Sequence, residues 1–115
     1  MIIVVEGTKK FDDYETFMRA MGVALSQPAN GNMIDVWSAG PHKINSFTAA
    51  FCNSAENYLK QKGFKISFRK VPSSFVSENL KGVDYFAFFS LKKESSSRLV
   101  VEAELSGKEI GIFRV

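Results

Sequence analysis

The chain is poor in the residues that most often carry chemistry or lock a fold. It has one cysteine, one histidine, one tryptophan and three prolines in 115 residues. A single cysteine, Cys52, excludes an internal disulfide and fits a reducing compartment. It falls inside an expected helix, so it reads first as a small buried filler and only second as a nucleophile. The one histidine, His42, stands between Pro41 and Lys43 in an expected loop. With no cysteine or carboxylate at metal-ligand spacing around it, no metal site is expected, and His42 reads as a surface residue before a ligand contact. No apolar run approaches the roughly 20 residues of a membrane span. The opening Met1-Ile2-Ile3-Val4-Val5 lacks the charged n-region of a signal peptide and is too short for its apolar stretch. A cytoplasmic protein with no membrane partner is the expectation. Walker A, zinc-site and nucleophile-elbow patterns are all missing.

Charge is modest too. The net charge of +3 attracts anions, but the lysines are scattered rather than gathered into the basic stripe of a nucleic-acid binder, so nucleic acid is not the expected partner. What the chain does have is phenylalanine, eleven in all. These read as a Phe-rich core, with a base-stacking surface as the second reading. An apolar fraction of 45% and a charged fraction of 23% are ordinary for a globular protein. The length suits one domain, near the lower end for a five-stranded α/β layer.

The hydrophobic pattern alternates short strands with helices. Ile2–Val5 is a continuous apolar run, as in a strand buried on both faces. A helix follows, with Asp12 as its cap, Glu15 completing a capping box, and Tyr14, Phe17, Met18, Met21 and Leu25 along one face. Gln27-Pro28-Ala29-Asn30-Gly31-Asn32 reads as a loop. Met33–Trp37 is a second strand. The next helix is expected from Asn45 or Ser46, with Phe47, Ala50, Phe51, Ala55, Tyr58 and Leu59 inward and Gly63 as its stop. Phe64, Ile66 and Phe68 alternate with Lys65, Ser67 and Arg69, the pattern of a half-exposed edge strand. Pro72-Ser73-Ser74 opens a short helix to about Leu80. Val83–Leu91 reads as a central strand, Ser97 caps a helix that Gly107 ends, and Glu109–Val115 is the last strand. The order βαβαβαβαβ predicts an α/β, Rossmann-like three-layer sandwich: about five mostly parallel strands, right-handed crossovers and helices on both faces.

Such sheets bind ligands beyond the carboxyl ends of their strands, and three loops lie there. In Gly7-Thr8-Lys9-Lys10, Gly7 permits close backbone approach, Thr8 offers a hydroxyl and Lys9 a positive charge; the alternative is a plain turn with solvated lysines. In Ser38-Ala39-Gly40-Pro41-His42-Lys43-Ile44-Asn45 a small residue and a glycine precede a helix, as in an anion nest, although Pro41 removes one donor. In Ser95-Ser96-Ser97 three hydroxyls stand before a helix, either as phosphate ligands or as a cap and flexible loop. Acids are sparse near this edge. Glu6 is the one weak catalytic candidate, with Glu94 next nearest, and Asp84 lies at the far end of its strand.

With these loops placed, the chain resembles the SLOG superfamily, the Rossmann-like group of SMF/DprA and LOG proteins, and above all its small stand-alone bacterial and phage members. Gly7, Thr8, Phe11, Asp13 and Tyr14 fit a first motif of the form Val-x-Gly-Ser/Thr-Arg-x-Phe-x-Asp-Tyr, with Lys9 in place of arginine. Ser38 and Gly40 fit a second motif, with Asn45 where the family has aspartate; Ala39 and Lys43 replace glycines and Pro41 an alanine. Ser95-Ser96-Ser97 stands in the third loop, without its glycine. The resemblance implies a nucleotide or phosphorylated nucleoside as ligand, held by Gly7, Thr8, Lys9, Ser38, Gly40, Asn45, Ser95, Ser96 and Ser97, with Trp37 or a rim phenylalanine stacking on a base. It also implies a homodimer and suits a phage or mobile-element protein, acting in the host cytoplasm on a host signalling nucleotide. Val100 falls where the enzymatic LOG members carry their glutamate. The reading is therefore a non-enzymatic binder first. A protein-interaction module that has lost its ligand, with a host protein as partner, is the alternative. A small N-glycosidic or phosphate-bond hydrolase acting through Glu6 comes third.

Overall fold

The computed structural model describes residues 1–26 and 31–115. The loop expected at 27–32 thus lies mostly outside the described residues. Five strands form one sheet: β1 (Ile2–Gly7), β2 (Met33–Ser38), β3 (Lys65–Lys70), β4 (Tyr85–Ser90) and β5 (Glu109–Arg114). Their spatial order is β3-β2-β1-β4-β5, and every pairing is parallel. The helices between them are α1 (Tyr14–Leu25), α2 (His42–Gln61), α3 (Ser73–Glu78) and α4 (Arg98–Leu105), with a 3-10 turn at Leu80–Gly82 after α3. This is the expected α/β, Rossmann-like layout.

Side chains of successive strand residues point to opposite faces, so each strand feeds two cores. Ile3, Val5, Ile34, Val36, Ala87 and Phe89 pack under α1 and α2 with Phe17, Met21, Ile44 and Phe51. Val4, Trp37, Phe86 and Phe88 pack under α3 and α4 with Val76, Leu80, Leu99 and Val100. All eleven phenylalanines belong to one core or the other, which bears out the packing reading of their number. A cluster of rings around Phe89 joins Phe11, Phe17 and Phe113 at centroid separations of 4.7–5.2 Å. At that spacing each ring gains quadrupolar attraction beyond its burial.

Several local expectations need correction. Asp13, not Asp12, caps α1: its carboxylate accepts from the Thr16 N–H at 3.0 Å. That bond, with a second from the Thr16 hydroxyl, holds the Asp13 carboxyl below the ordinary aspartate range. Met18, Ala50 and Tyr58 are exposed, and Ala20, Ala24, Ile44 and Thr48 take the inward positions. Helix α2 begins at His42, because Pro41 sits at its N-cap and its fixed φ leads the chain into the helix. Its other end is as expected. Gly63, at φ +86°, closes a Schellman turn in which Gly63 N–H donates to Lys60 and Phe64 N–H to Leu59. Strand β3 is an edge strand and β4 is buried along all six residues.

The chain runs β1 to β3 outward on one side, then returns to place β4 and β5 on the other side of β1. Strands β1 and β4 therefore flank the point where strand order reverses, and the loops after them diverge to opposite faces.

Candidate functional site

At that reversal point the first two loops are closed by the chain itself. The Gly7 N–H donates to the Gly40 carbonyl at 3.1 Å and the Thr8 N–H to the Phe89 carbonyl at 2.9 Å. A Cβ on Gly7 would meet Phe89 O at 2.7 Å and Ile44 Cδ1 at 2.8 Å. The glycine is thus required by the packing of β1 against β4 and α2. Ser38 is fully buried; its hydroxyl donates to Asn45 Oδ1 at 2.6 Å and lies 3.1 Å from Thr48 Oγ1. Asn45 works from inside α2 as the tie between that helix and β2, not as its cap. Gly40 supplies the positive φ of +89° that turns the chain into Pro41. Lys9 and Lys10 project into solvent, and Lys43 pairs with Asp12 at 3.1 Å. Trp37 is buried, edge-on to Phe75 at 4.9 Å, so it is a core residue and not an open stacking platform.

The third loop behaves differently. Glu94 reaches back across the reversal point: its Oε1 accepts from the Thr8 hydroxyl at 2.5 Å and from the Leu91 N–H at 2.7 Å. Arg114, at the end of β5, donates to Ser90 Oγ and the Glu94 carbonyl, each at 2.5 Å, and to Ser96 Oγ at 3.0 Å. Ser95 is exposed. Ser97 has two tasks. Its Oγ accepts from the Val100 N–H at 3.2 Å, capping α4, and its hydroxyl donates to the Glu6 carboxylate.

Glu6 is the chemically distinctive group. It lies one residue before the end of β1 on the α3/α4 face, where the strand pattern calls for an apolar side chain, and it is only 8% exposed. Burial pushes its carboxyl above the ordinary glutamate value, and the bond from Ser97 opposes this in part. Glu6 lines an open cleft of about 380 Å³ between α3 and α4. Ser73, Ser74, Ser77 and Ser97 supply hydroxyls to its walls, and Arg98, Leu99 and Glu102 complete it. Across the cleft, the Ser77 hydroxyl donates to Glu102 at 2.5 Å, and Glu102 also pairs with Arg98 at 3.5 Å.

The structure thus brings Glu6 and Ser97 together in an open cleft, and links Thr8 to Glu94 and Ser96 to Arg114 outside it. Gly7, Ser38, Gly40 and Asn45 are packed among the chain's own atoms around β1, β2 and α2, and none of them lines that cleft. The contributions of α3's serines and of Arg114 were missed from sequence. The only signal for the serines was their density after Pro72. Arg114 gave none, since its partners lie 18–24 positions upstream. Among the described residues no group of acids, histidines and cysteines is placed to hold a metal ion, and no helix is long and apolar enough to cross a membrane. No protein-family model, no curated protein and no solved structure matches the chain.

Proposed function

We propose that this chain is a non-enzymatic binding protein for a nucleotide-derived small molecule, seated in the cleft between α3 and α4. The observation that carries the reading is Glu6, a buried carboxylate at the end of the central strand, opening onto a cleft walled by serines. An acidic side chain in the crevice beyond the strand ends is the group α/β folds set against ribose hydroxyls. Hydroxyls around it both donate and accept, which suits a sugar or a base edge. Glu102, the other carboxylate of the cleft, is tied to Ser77 and Arg98, so the arrangement favours holding a ligand over a two-carboxylate reaction.

Calorimetric titration with ribonucleosides, their monophosphates and cyclic signalling nucleotides tests the reading. The parent binds at least one of them. Glu6→Gln weakens that binding about tenfold or more, the worth of a hydrogen bond to a charged group. No binding by the parent to any of them refutes it. If Glu6 instead serves a hydrolase, the parent turns the ligand over and Glu6→Gln does not.

The close packing at Gly7, Ser38 and Gly40 favours a second reading, a protein-interaction module. Val101, Leu105 and Ile112, exposed on and beside α4, then form part of the contact surface. A single stoichiometric partner recovered from the natural host, lost on Leu105→Glu, distinguishes it.

A further inference from the structure

Strand β3 leaves one side of its backbone without a partner. It is an edge strand, paired only to β2. In a parallel pair, alternate residues of a strand turn their N–H and C=O groups toward the neighbour. The Lys65 N–H donates to the Asn32 carbonyl and the Val71 N–H to the Ser38 carbonyl, so Lys65, Ser67 and Arg69 face β2. The N–H and C=O groups of Ile66, Phe68 and Lys70 therefore point away from the sheet, and no described residue bonds to them.

Two clefts lie beside that open edge, along the seam between β3 and α2. One, of about 340 Å³, is lined by Met33, Phe64 and Ile66 together with Glu56, Lys60 and Lys65. The other, of about 150 Å³, lies between Phe68 and Lys70 of β3 and His42, Ser46 and Ala49 of α2. They sit toward the two ends of β3, a six-residue strand, which spans about 17–20 Å. Apolar side chains enter both clefts, and Met33 is 40% exposed. The charge along the seam is one-sided. Lys60, Lys65 and Lys70 line it against Glu56 alone, and among the described residues none of these lysines is in an ion pair.

We infer that the open edge of β3 and the seam beside it form a docking site for an acidic, extended peptide segment of a partner protein, bound as a sixth strand. Its backbone meets the outward N–H and C=O groups of Ile66, Phe68 and Lys70. Every second side chain turns toward α2, where apolar ones enter the two clefts and carboxylates meet the lysines. A second copy of this chain fits the edge less well. Antiparallel pairing of two β3 strands sets Lys65 of one copy near Arg69 and Lys70 of the other, and like charges placed opposite one another are destabilising. The site is independent of the proposed nucleotide cleft: Ile66 and Phe68 pack against the α1/α2 core, whereas Glu6 opens onto the opposite face of the sheet.

The test pans the full chain against a displayed library of random peptides, about ten residues long, and takes an enriched peptide to NMR and fluorescence anisotropy. Enriched sequences are expected to be rich in aspartate and glutamate, alternating with apolar residues. Saturating peptide slows amide exchange of Ile66, Phe68 and Lys70 at least about tenfold, as for N–H groups that gain a partner, and leaves Ser67 and Arg69, already bonded to β2, unchanged. Lys65→Glu combined with Lys70→Glu, both exposed and so compatible with the fold, weakens binding about tenfold or more, through two attractions turned to repulsions. Lys92→Glu combined with Lys93→Glu makes the same change of net charge away from the seam and alters binding less than about twofold. No enrichment overturns the inference, as does enrichment without an acidic excess. So does a bound peptide that leaves exchange at the three outward amides unchanged, or equal losses in the two double variants. Protection of those amides that appears without peptide, on raising the protein concentration, marks a second copy as the occupant and overturns the acidic segment.

Discussion

Gly7 separates a glycine kept for packing from one kept for a ligand, and Gly7→Ala tests which it is. The added Cβ would stand 2.7 Å from the Phe89 carbonyl oxygen and 2.8 and 2.9 Å from Cδ1 and Cγ1 of Ile44. All three lie well inside normal contact distance. Ile44 is fully buried and the Phe89 oxygen belongs to a strand paired to β1, so neither has free space to retreat into. Overpacking of this kind costs about 1–3 kcal/mol. For a domain of this size that lowers Tm by about 4 °C for each kcal/mol. Urea unfolding followed by circular dichroism measures it. A second variant, Ile44→Val, removes Cδ1 and so relieves one of the contacts. Alone it costs about 0.5–1.5 kcal/mol. Combined with Gly7→Ala it should cost less than the sum, because the two sites share that contact. If Gly7→Ala lies within about 0.5 kcal/mol of the parent, the usual scatter of neutral substitutions, the strand packing described here is wrong. The glycine would then belong to a ligand.

Glu6 links the site to stability. Its folded value is raised above 4.5 by burial. The folded chain therefore holds that proton more tightly than the unfolded chain, and stability declines as pH rises from about the unfolded value through the folded one. Glu6→Gln removes this decline and is at least as stable as the parent at pH 7; a clear loss at pH 7 contradicts the assignment. Ser38→Ala strips the buried hydroxyl from Asn45 and Thr48 and costs about 1–3 kcal/mol in urea unfolding, through the acceptor left without its donor; a neutral result shows the tie to be dispensable. Burial pushes the Cys52 thiol up to about 12, so a thiol reagent at pH 8 labels it only in denaturant, and rapid labelling of the native chain contradicts its place in the core.

The element order was legible in the sequence because each strand is a short apolar or alternating run and each helix ends on turn chemistry. The sheet order was legible only as a class, since periodicity does not say that β4 returns to lie beside β1. Boundaries slipped where two residues competed for one task. Asp12 and Asp13 both precede α1, and the capping box at Glu15 pointed to the wrong one. Asn45 looked like a cap because asparagine is a favoured cap residue, yet Pro41 had already started the helix. At the site, Glu6 was legible as a carboxylate at a strand position where an apolar residue is normal. The Thr8–Glu94 and Arg114–Ser96 contacts were not, because they join loops 86 and 18 positions apart that only the folded sheet brings together.

The central claim is that a ligand touches Glu6. The most direct measurement is the side-chain carboxyl carbon resonance of Glu6 by NMR, followed as ribonucleosides and their monophosphates are added to the full chain. The account predicts a saturable shift of that resonance, matching the calorimetric affinity, with binding weakened about tenfold or more in Glu6→Gln. A ligand that saturates the protein and leaves the Glu6 resonance unmoved would contradict it, as would a full panel that does not bind.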